Sequence, residues 1–341
     1  MSRYKHIITK FSGKSILVIG DIILDQYIKG TVSRISPEAP VLVVLQQDEP
    51  SYTPGGAANV ANNLRSLGAH VTLVGRIGKD TEGKILKREL KKRKINTHGL
   101  FIDRKIPTIL KTRIIAEHQQ VVRIDREKNV DFTNGPLFQR IREFALKSVG
   151  SSDAVIISDY GKGMISPALV SEVCSLAMEK KKIITVDPKV EHFSYYSGVT
   201  TITPNKKETE NAIRYIKVRQ NAGRRFAVNV DQLETDADID LAGQQLLRFL
   251  NLESLLITLG DQGMRLFEKG KKPMHINTRA REVFDVSGAG DTVISVFTLA
   301  LTAGATKHEA ADLSNYAAGI VVGKVGAVPV TKKELLIAIK S

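Results

Sequence analysis

The chain has 341 residues, 42% of them hydrophobic and 25% charged, which is typical of a folded globular protein and excludes wholesale disorder. One large α/β domain is as compatible with this length as two smaller domains. The net charge of +14 comes largely from short basic clusters, and only 6% of the residues are aromatic, with no Trp. The composition therefore argues against nucleic-acid binding as the main function.

Cysteine content and apolar runs indicate the cellular compartment. The one cysteine, Cys174, excludes an internal disulfide framework and favours a reducing environment, and its apolar neighbours favour a buried thiol over a nucleophile. The first residues lack the apolar core of a secretory signal, and the longest apolar run, 293–305, is too short and too interrupted to span a bilayer. We therefore expect a cytoplasmic protein without a membrane segment.

Apolar periodicity predicts strands and helices that alternate along the chain. In chain order these are strands at 15–20 and 41–45, a helix that follows Gly55-Gly56 and stops at Gly68, a strand at 70–75 and a helix at 80–93. After two β-only pieces at 108–116 and 121–125, the prediction continues with strands at 154–158, 183–186, 200–203 and 255–259, and with helices at 167–179 and from about Ala289, Lys307 and Lys332. The structure of the polar segment 215–240 is left open.

Near-continuous runs of Val, Ile and Leu in the predicted strands indicate strands buried on both faces. The sequence therefore predicts an α/β fold, with a mainly parallel sheet covered by helices on both sides. Ligands of such sheets bind beyond the carboxyl ends of the strands. The β-only segments, at about 27–53 and 106–126, predict a small appended β-sheet that forms a lid over this edge. We expect residues 1–341 to form a single domain.

The clearest chemical signal is the stretch from Asp285 to Thr292, DVSGAGDT, which an apolar helix follows directly. Gly288, Ala289 and Gly290 allow a ligand to approach the backbone, and the helix start presents free N–H groups. The helix dipole and these amides favour an ionised Asp291. Anion-binding amides beside a carboxylate are what phosphoryl transfer to an alcohol requires, with Asp291 as the base. The structural alternative is a tight turn with an acidic residue.

Two further groups of residues are candidates for binding a polar ligand. Gly55 and Gly56 open a helix on which Asn59 offers both a donor and an acceptor, although a structural turn explains the pair equally well. Asp21 ends the first strand and Asp25 follows four residues later. Both carboxylates could accept bonds from sugar hydroxyls, and solvated loop aspartates are the alternative.

Together these motifs resemble the PfkB, or ribokinase-like, family of carbohydrate kinases, over nearly the whole chain from Ser15 to about Val330. GGAANVA at 55–61, with Gly68 and Gly78, is similar to the family's N-terminal pattern, and 285–291 to its C-terminal pattern. Asn205 and Glu208 are similar to its Asn-x-x-Glu element, 258–263 to its nucleotide-side loop and 315–319 to its adenine-side helix. Val296 departs from the pattern, where Ala or Gly is usual, and is expected to affect packing only.

The resemblance implies a kinase that uses ATP as phosphoryl donor and Mg²⁺, with Asn205 and Glu208 organising the metal through water. It implies nucleotide contacts from Lys189, Asn205, Glu208, Thr258, Gly260, Gly263, Gly288, Gly290 and Asn315. Sugar hydroxyls are expected at Asp21, Asp25, Gly55, Gly56 and Asn59. Because a phosphorylated substrate needs cations, the further candidates are Arg34, Lys111, Arg113, Arg123 and Lys162, with Lys189.

Within the family the sequence is most similar to the bacterial kinases of D-glycero-D-manno-heptose 7-phosphate. The stretches that carry this likeness include 33–41, Ser158-Asp159-Tyr160 with Lys162-Gly163, and Asp187-Pro188-Lys189. The likeness implies phosphorylation of O1 to give the 1,7-bisphosphate, in the synthesis of the lipopolysaccharide core precursor, and a homodimer formed through the small sheet. Some relatives carry a fused nucleotidyltransferase, and because this chain stops at Ser341 we expect that step to need a separate protein.

Three alternatives remain open. One is a kinase of the same family that acts on ribose, a fructose phosphate or a nucleoside. Another is a non-catalytic regulator that binds nucleotide or sugar, which the intact base and anion-binding glycines disfavour. The last is a nucleotide-binding dehydrogenase, which is disfavoured because Gly20-Asp21 lacks the G-x-G-x-x-G spacing after the first strand.

Overall fold

The computed structural model describes residues 3–117, 119–128, 130, 132–219, 232–280 and 282–340. Its strands are β1 (Ser15–Gly20), β2 (Ile22–Ile35), β3 (Leu42–Gln46), β4 (Ser51–Gly56), β5 (His70–Gly78), β6 (Leu100–Asp103), β7 (Ile109–Ala116), β8 (Gln119–Arg126), β9 (Ala154–Ser158), β10 (Ile183–Asp187), β11 (Thr201–Ile202), β12 (Ser254–Thr258), β13 (Met264–Glu268) and β14 (Met274–Ile276). Its helices are α1 (Arg3–Thr9), α2 (Ala57–Ser66), α3 (Thr81–Lys92), α4 (Pro136–Gly150), α5 (Pro167–Glu179), α6 (Lys206–Arg219), α7 (Asp236–Phe249), α8 (Ala289–Thr302), α9 (Lys307–Val321) and α10 (Lys332–Ala338), and 3-10 turns lie at Val190–Tyr196 and Gly260–Gln262.

The larger sheet has nine strands in the order β14-β13-β12-β11-β10-β9-β1-β5-β6. From β12 to β6 every neighbouring pair is parallel, and only β13 and β14 run antiparallel at one edge. The predicted α/β fold with a mainly parallel sheet is confirmed.

Alternate residues of each central strand pack into two different cores, because successive side chains point to opposite faces of a sheet. In β1, Ile16 and Val18 pack with α2, α3, α8 and α9, whereas Leu17 and Ile19 pack with α4, α5, α6 and α7. Both faces are therefore covered, which explains why the strand reads as an unbroken apolar run. Cys174 is buried in the second core, as its sequence context predicted.

The smaller sheet consists of β3-β2-β7-β8, with β4 paired to β2. It occupies 22–56 and 109–126, so β2 begins five residues before the predicted lid segment and β4 extends three residues beyond it. Its strand register separates two kinds of side chain. One face carries Asp25 and Lys29 with Lys111 and Arg113, and the opposite face carries apolar residues: Ile28, Val32, Val44, Ile114, Val122 and Ile124.

Several elements were not predicted from the sequence. These are helices α1, α4 and α6 and strands β6, β13 and β14, while α7 begins at Asp236 inside the segment that the sequence left open. Residues 220–231 of that segment lie outside the described residues. Among the helices that the structure describes, none is long and apolar enough to cross a membrane.

Candidate active site

The polar residues that follow three neighbouring strands meet at one edge of the larger sheet. Asp21 follows β1, Asp159 follows β9, and Asp187 ends β10. The sheet order reverses at β1, because β5 and β6 lie on one side of it and β9 and β10 on the other. Such a reversal opens a crevice at the carboxyl ends of the strands, which is where ligands bind in open α/β sheets.

Asp291 lies in this crevice, in the first turn of α8, and is 4% exposed. The Nδ2 of Asn59 donates to one of its carboxylate oxygens at 2.8 Å, and the hydroxyl of Tyr160 donates to the other at 2.8 Å. Burial raises the pKa of Asp291 to about 6, although both hydrogen bonds oppose this rise by favouring the ionised form. A carboxylate with this pKa is ionised at neutral pH and can still accept a proton.

Backbone N–H groups surround Asp291 at the start of α8. Gly288 caps the helix with a φ of 77°, a conformation that favours glycine, and a Cβ there would lie 2.6 Å from the Nδ2 of Asn59. Ala289 donates its N–H to the Val286 carbonyl at 3.2 Å. Within the described residues the N–H groups of Gly288 and Gly290 have no protein partner, so these two are the predicted anion-binding amides that stay open to a ligand.

Asp25 faces the same crevice from the smaller sheet of β2, β3, β4, β7 and β8, called the lid sheet below, and is ion-paired with Arg113. Gly55 makes room for this carboxylate, because a Cβ at that position would lie 2.2 Å from an Asp25 oxygen. Lys111 is paired with Asp25 in the strand register and is half-buried, and burial lowers its pKa. The structure thus brings the predicted residues Asp25, Gly55, Asn59 and Arg113 together around Asp291.

Asp21 is 2% exposed, and its carboxylate accepts three backbone N–H groups, from Tyr160 at 2.9 Å, Lys162 at 3.0 Å and Met164 at 3.0 Å. The aspartate therefore holds the loop that follows β9. These three bonds engage both carboxylate oxygens of Asp21. The contact with sugar hydroxyls that the sequence predicted for Asp21 stays a prediction.

Of the remaining predicted cations, Arg123 and Lys162 lie near Lys111, since their charges add to burial in lowering its pKa. Lys162 is paired with Glu127 at 2.6 Å, and Arg123 with Asp125 at 2.9 Å. Arg34 is exposed and lies nine residues along β2 from Asp25, which corresponds to about 30 Å of strand. It therefore lies away from this chain's own crevice. The sequence missed Lys29, which lines a cavity of about 910 Å³ together with Arg113, Gln47 and Ser287.

A second cavity, of about 430 Å³, lies at the start of α8 and is lined by Gly290. Five of the residues predicted to bind nucleotide line it, together with apolar side chains such as Met264, Val293 and Ala318; these five are Thr258, Gly260, Gly263, Gly290 and Asn315. The Nδ2 of Asn315 donates to the Asn277 carbonyl at 2.6 Å, which fixes the side chain in the wall. A largely apolar slot that ends at open backbone N–H groups suits a flat aromatic base with phosphates attached.

Acidic residues border the crevice on the β10 side. Asn205 and Glu208 form a capping box at the start of α6, with reciprocal bonds of 2.8 Å between backbone N–H groups and side-chain oxygens. Burial and the charge of Glu208 raise the pKa of Asp187. Burial also raises the pKa of Glu208, whereas nearby Lys189 opposes that rise. A bound cation would relieve this repulsion, and oxygen donors suit Mg²⁺.

Within the described part of the chain no group of three or more His, Cys, Asp or Glu side chains could hold a metal ion. A magnesium ion at Glu208 would thus need oxygen ligands from water and from the nucleotide, as Mg²⁺ commonly has in phosphoryl-transfer sites. The oxygen donors of Asn205 and Glu208 fit a magnesium ion that keeps several water ligands.

Sequence reasoning assigned no role to Tyr160 or to Asp187. Asp187 is the last residue of β10, and Asp21 directly follows the last residue of β1. The position of Asp187 at the carboxyl end of a predicted strand could therefore have identified it as a site residue. Tyr160 lies 131 positions before Asp291, and only the fold brings its hydroxyl to that carboxylate.

Comparison with known proteins places these features in a family. A model described as the pfkB family of carbohydrate kinases matches residues 14–333. The bifunctional protein HldE of Desulfatibacillum aliphaticivorans is 43% identical over 328 residues, covering 96% of this chain and 63% of that protein. HldE of Nitrosococcus oceani is 44% identical over 97% of this chain and 65% of its own length. The chain spans slightly less than two thirds of the length of these relatives.

Solved structures share the fold. Ribokinase of Arabidopsis thaliana, complexed with ribose and ATP, superposes with a TM-score of 0.73 over 97% of this chain and 99% of its own, at 19% identity. Phosphofructokinase-2 of Escherichia coli superposes with a TM-score of 0.74 over 96% and 98%, at 17% identity. The likeness establishes a ribokinase-like fold for this chain.

Proposed function

The chain belongs to the pfkB family of carbohydrate kinases, and we propose that it phosphorylates O1 of D-glycero-D-manno-heptose 7-phosphate with ATP to give the 1,7-bisphosphate. The observation that carries the proposal is the position of Asp291. It is buried between the apolar cavity, which suits a nucleotide, and the lid face, which presents Asp25 and Arg113. A sugar hydroxyl and the γ-phosphate of ATP could therefore meet at this carboxylate.

In the reaction that we propose, Asp291 accepts the proton of the sugar O1 hydroxyl. The oxygen then forms a bond to the γ-phosphorus while the bond from that phosphorus to the β,γ-bridging oxygen breaks, and ADP leaves. Asn59 and Tyr160 hold the carboxylate during this transfer. The open N–H groups of Gly288 and Gly290 are suited to stabilise charge on the transferring group.

We propose that Glu208 and Asn205 position Mg²⁺ through water. The metal would neutralise charge on the β- and γ-phosphates. The repulsion between Glu208 and Asp187 supports this assignment, because two half-buried carboxylates that repel each other favour a cation nearby. Lys189, which approaches Glu208, would contribute positive charge on the nucleotide side.

A phosphate already present on the substrate would bind in the cavity beside the lid. Lys29 and Arg113 line this cavity, and both belong to the lid face that carries Asp25. A charge-assisted bond to a dianion contributes roughly 1.5–3 kcal/mol, so that two such bonds favour the phosphorylated sugar by about a hundredfold or more. This cavity supports a sugar phosphate over a free sugar.

The experiment is a comparison of kcat/KM for heptose 7-phosphate, free heptose, fructose 6-phosphate and ribose, with the product identified by phosphorus NMR. We expect heptose 7-phosphate to be preferred over free heptose by about a hundredfold. Equal rates on the two heptoses would contradict the substrate assignment. Preference for fructose 6-phosphate or ribose would favour the alternative of another sugar kinase in the same family, and ATP binding without turnover would favour a regulator.

We further propose that the chain forms a homodimer through the apolar face of the lid sheet. Val122 and Ile124 on this face are 43% and 54% exposed, and Val32 is 36% exposed. Two such sheets packed face to face would bury these side chains, as in a β-sandwich with two-fold symmetry. Arg34, at the far end of β2, could then lie near the partner's crevice.

The free thiol of Cys174 and the use of ATP support a cytoplasmic location for this reaction. A phosphate on O1 of a sugar is the group that a nucleotidyltransferase uses, so we propose that a separate enzyme of that class acts downstream.

A further inference from the structure

Tyr160 contacts the proposed base directly, yet no role was assigned to it from its sequence pattern. Its hydroxyl donates to the carboxylate oxygen Oδ1 of Asp291 at 2.8 Å, while the Nδ2 of Asn59 donates to Oδ2 at 2.8 Å. The two donors together fix the rotation of the carboxylate about its Cβ–Cγ bond. A base must be held in this way for its lone pair to point at the hydroxyl that it deprotonates.

The position of Tyr160 is itself set by buried contacts. The carboxylate of Asp21 accepts the N–H groups of alternate residues, Tyr160, Lys162 and Met164, at 2.9–3.0 Å. Gly161 and Gly163 between them have φ values of 66° and 86°, so the chain can turn these alternate N–H groups toward one anion. The loop is therefore built around Asp21, and Tyr160 is carried at its start.

We propose that Tyr160 is a positioning residue, whose hydroxyl orients Asp291 and favours its ionised form, and that Asp21 holds Tyr160 in place. The role in catalysis rests on the proposed function, whereas the hydrogen bond to Asp291 does not. Tyr160 remains a donor at all relevant pH values, because burial and the charge of Asp291 raise its pKa well above the usual range.

The other groups that face Asp291 come from the lid and the sheet edge. Asp25 raises the pKa of Asp291 and Lys111 lowers it, and Asp187 also interacts with Asp291. None of these groups is altered by replacing the Tyr160 hydroxyl. A change in the titration of Asp291 in Tyr160→Phe can therefore be assigned to the lost hydrogen bond.

The test is carbon NMR of protein labelled at the aspartate carboxyl carbons, with the Asp291 signal assigned by its absence in Asp291→Asn. The pKa of Asp291 is about 6 in the parent chain, and we expect Tyr160→Phe to raise it by about one unit, since a hydrogen bond to a charged group is lost. The matched control is Tyr195→Phe, which also removes a tyrosine hydroxyl, from a ring that stacks on His192 at 4.7 Å between centroids. The control should leave the titration unchanged.

Kinase assays provide a second readout. The turnover number of Tyr160→Phe relative to that of the parent chain should be about fivefold lower at pH 6 than at pH 8.5, where only the loss of orientation remains, with KM for ATP unchanged. Ionisation of the substrate phosphate is common to both proteins and cancels in this comparison. A uniform loss at all pH values would contradict a role through the ionised form of Asp291.

Replacing Tyr160 with 3-fluorotyrosine keeps the hydroxyl and makes it a stronger donor, so the pKa of Asp291 should fall. This protein tests the proposal even if Tyr160→Phe does not fold. An unchanged titration in folded Tyr160→Phe or in the fluorotyrosine protein, or an equal shift in Tyr195→Phe, overturns the proposal. If the parent chain turns over no sugar phosphate, the proposed function fails, whereas the titration needs no sugar and still decides the role of Tyr160.

Discussion

At the scale of single residues, the burial that raises the pKa of Asp291, the proposed base, also lowers the stability of the folded protein at neutral pH. We expect Asp291→Asn to lower kcat by about 10²–10⁴, because a positioned base typically contributes that much, while the affinity for ATP stays close to that of the parent chain. Single-turnover kinetics and ATP titration measure the two effects. A folded variant that retains more than about a tenth of the parent kcat would contradict the role of Asp291 as base.

The same substitution should stabilise the fold. The folded pKa of about 6 lies above the ordinary value of 3.8, so the contribution of Asp291 to stability is full below pH 3.8 and is lost as pH rises through 6. The amide of Asp291→Asn has no charge, so the variant would not lose stability as pH rises. If the Asn59 side chain rotates, its Oδ1, which now has no partner, could accept a hydrogen bond from that amide. We expect a gain of up to about 3 kcal/mol at pH 8 that vanishes below pH 4, measured by denaturant unfolding at both pH values. A gain independent of pH would contradict this explanation.

The residues of the site differ in how far the sequence could predict them. Asp291, Gly55 and Asn59 belong to short motifs whose spacing carries the signal, and the fold brings all three together. Tyr160 and Lys29 could not be found in this way, because each reaches the site through pairing with distant segments. Arg34 was predicted from a motif, and the long β2 strand separates it from the crevice of its own chain.

At the scale of elements, α6 combines a structural cap with a chemical role. Asn205 and Glu208 cap this helix, and glutamine at the third helical position can replace glutamate in a capping box. We therefore expect Glu208→Gln to change the free energy of unfolding by no more than about 1 kcal/mol. The same substitution should raise the Mg²⁺ concentration needed for half-maximal activity. Magnesium titrations at saturating ATP measure the effect.

The control for that substitution is Glu309→Gln in the capping box of α9, where Thr306 is the cap. Glu309 has an equivalent role in its helix and lies outside the crevice, paired with the exposed Arg3. The Glu309→Gln substitution should leave the Mg²⁺ requirement unchanged. If both variants alter that requirement equally, Glu208 acts through the helix alone and not through the metal.

The elements that were predicted correctly are those in which the spacing of apolar residues along the sequence shows which side chains are buried. The strand Ser15–Gly20 is apolar from Ile16 to Ile19 because two helical layers cover it. Helix Pro136–Gly150 escaped prediction although Phe138, Ile141, Ala145 and Val149 form its buried face, since no side chain caps its start. Strand Met274–Ile276 has three residues and is defined by pairing with β13, a long-range contact that periodicity does not report.

At the scale of the whole molecule, the lid sheet has one polar face toward the crevice and one apolar face with residues that its own chain leaves exposed. Lys111 and Arg113 accompany Asp25 on the first face, and Val122 and Ile124 lie on the second. Alternation along each strand separates the two sets without any further device. In the proposed dimer the polar face would therefore depend on what covers the apolar face, and assembly would be coupled to sugar binding.

Ile124→Glu tests this coupling. A carboxylate in a two-fold interface is buried twice without a partner, so we expect the dimer dissociation constant to rise by about a hundredfold or more. Sedimentation equilibrium should show twice the chain mass for the parent protein and a single chain for the variant at micromolar concentration. Leu241→Glu is the control, because Leu241 is 43% exposed on α7, away from the lid. If the lid depends on its partner, KM for the sugar rises in Ile124→Glu while ATP affinity is unchanged. A parent chain that sediments as a monomer, or an Ile124→Glu dimer as tight as the parent, would contradict the proposed interface and leave the kinase assignment intact.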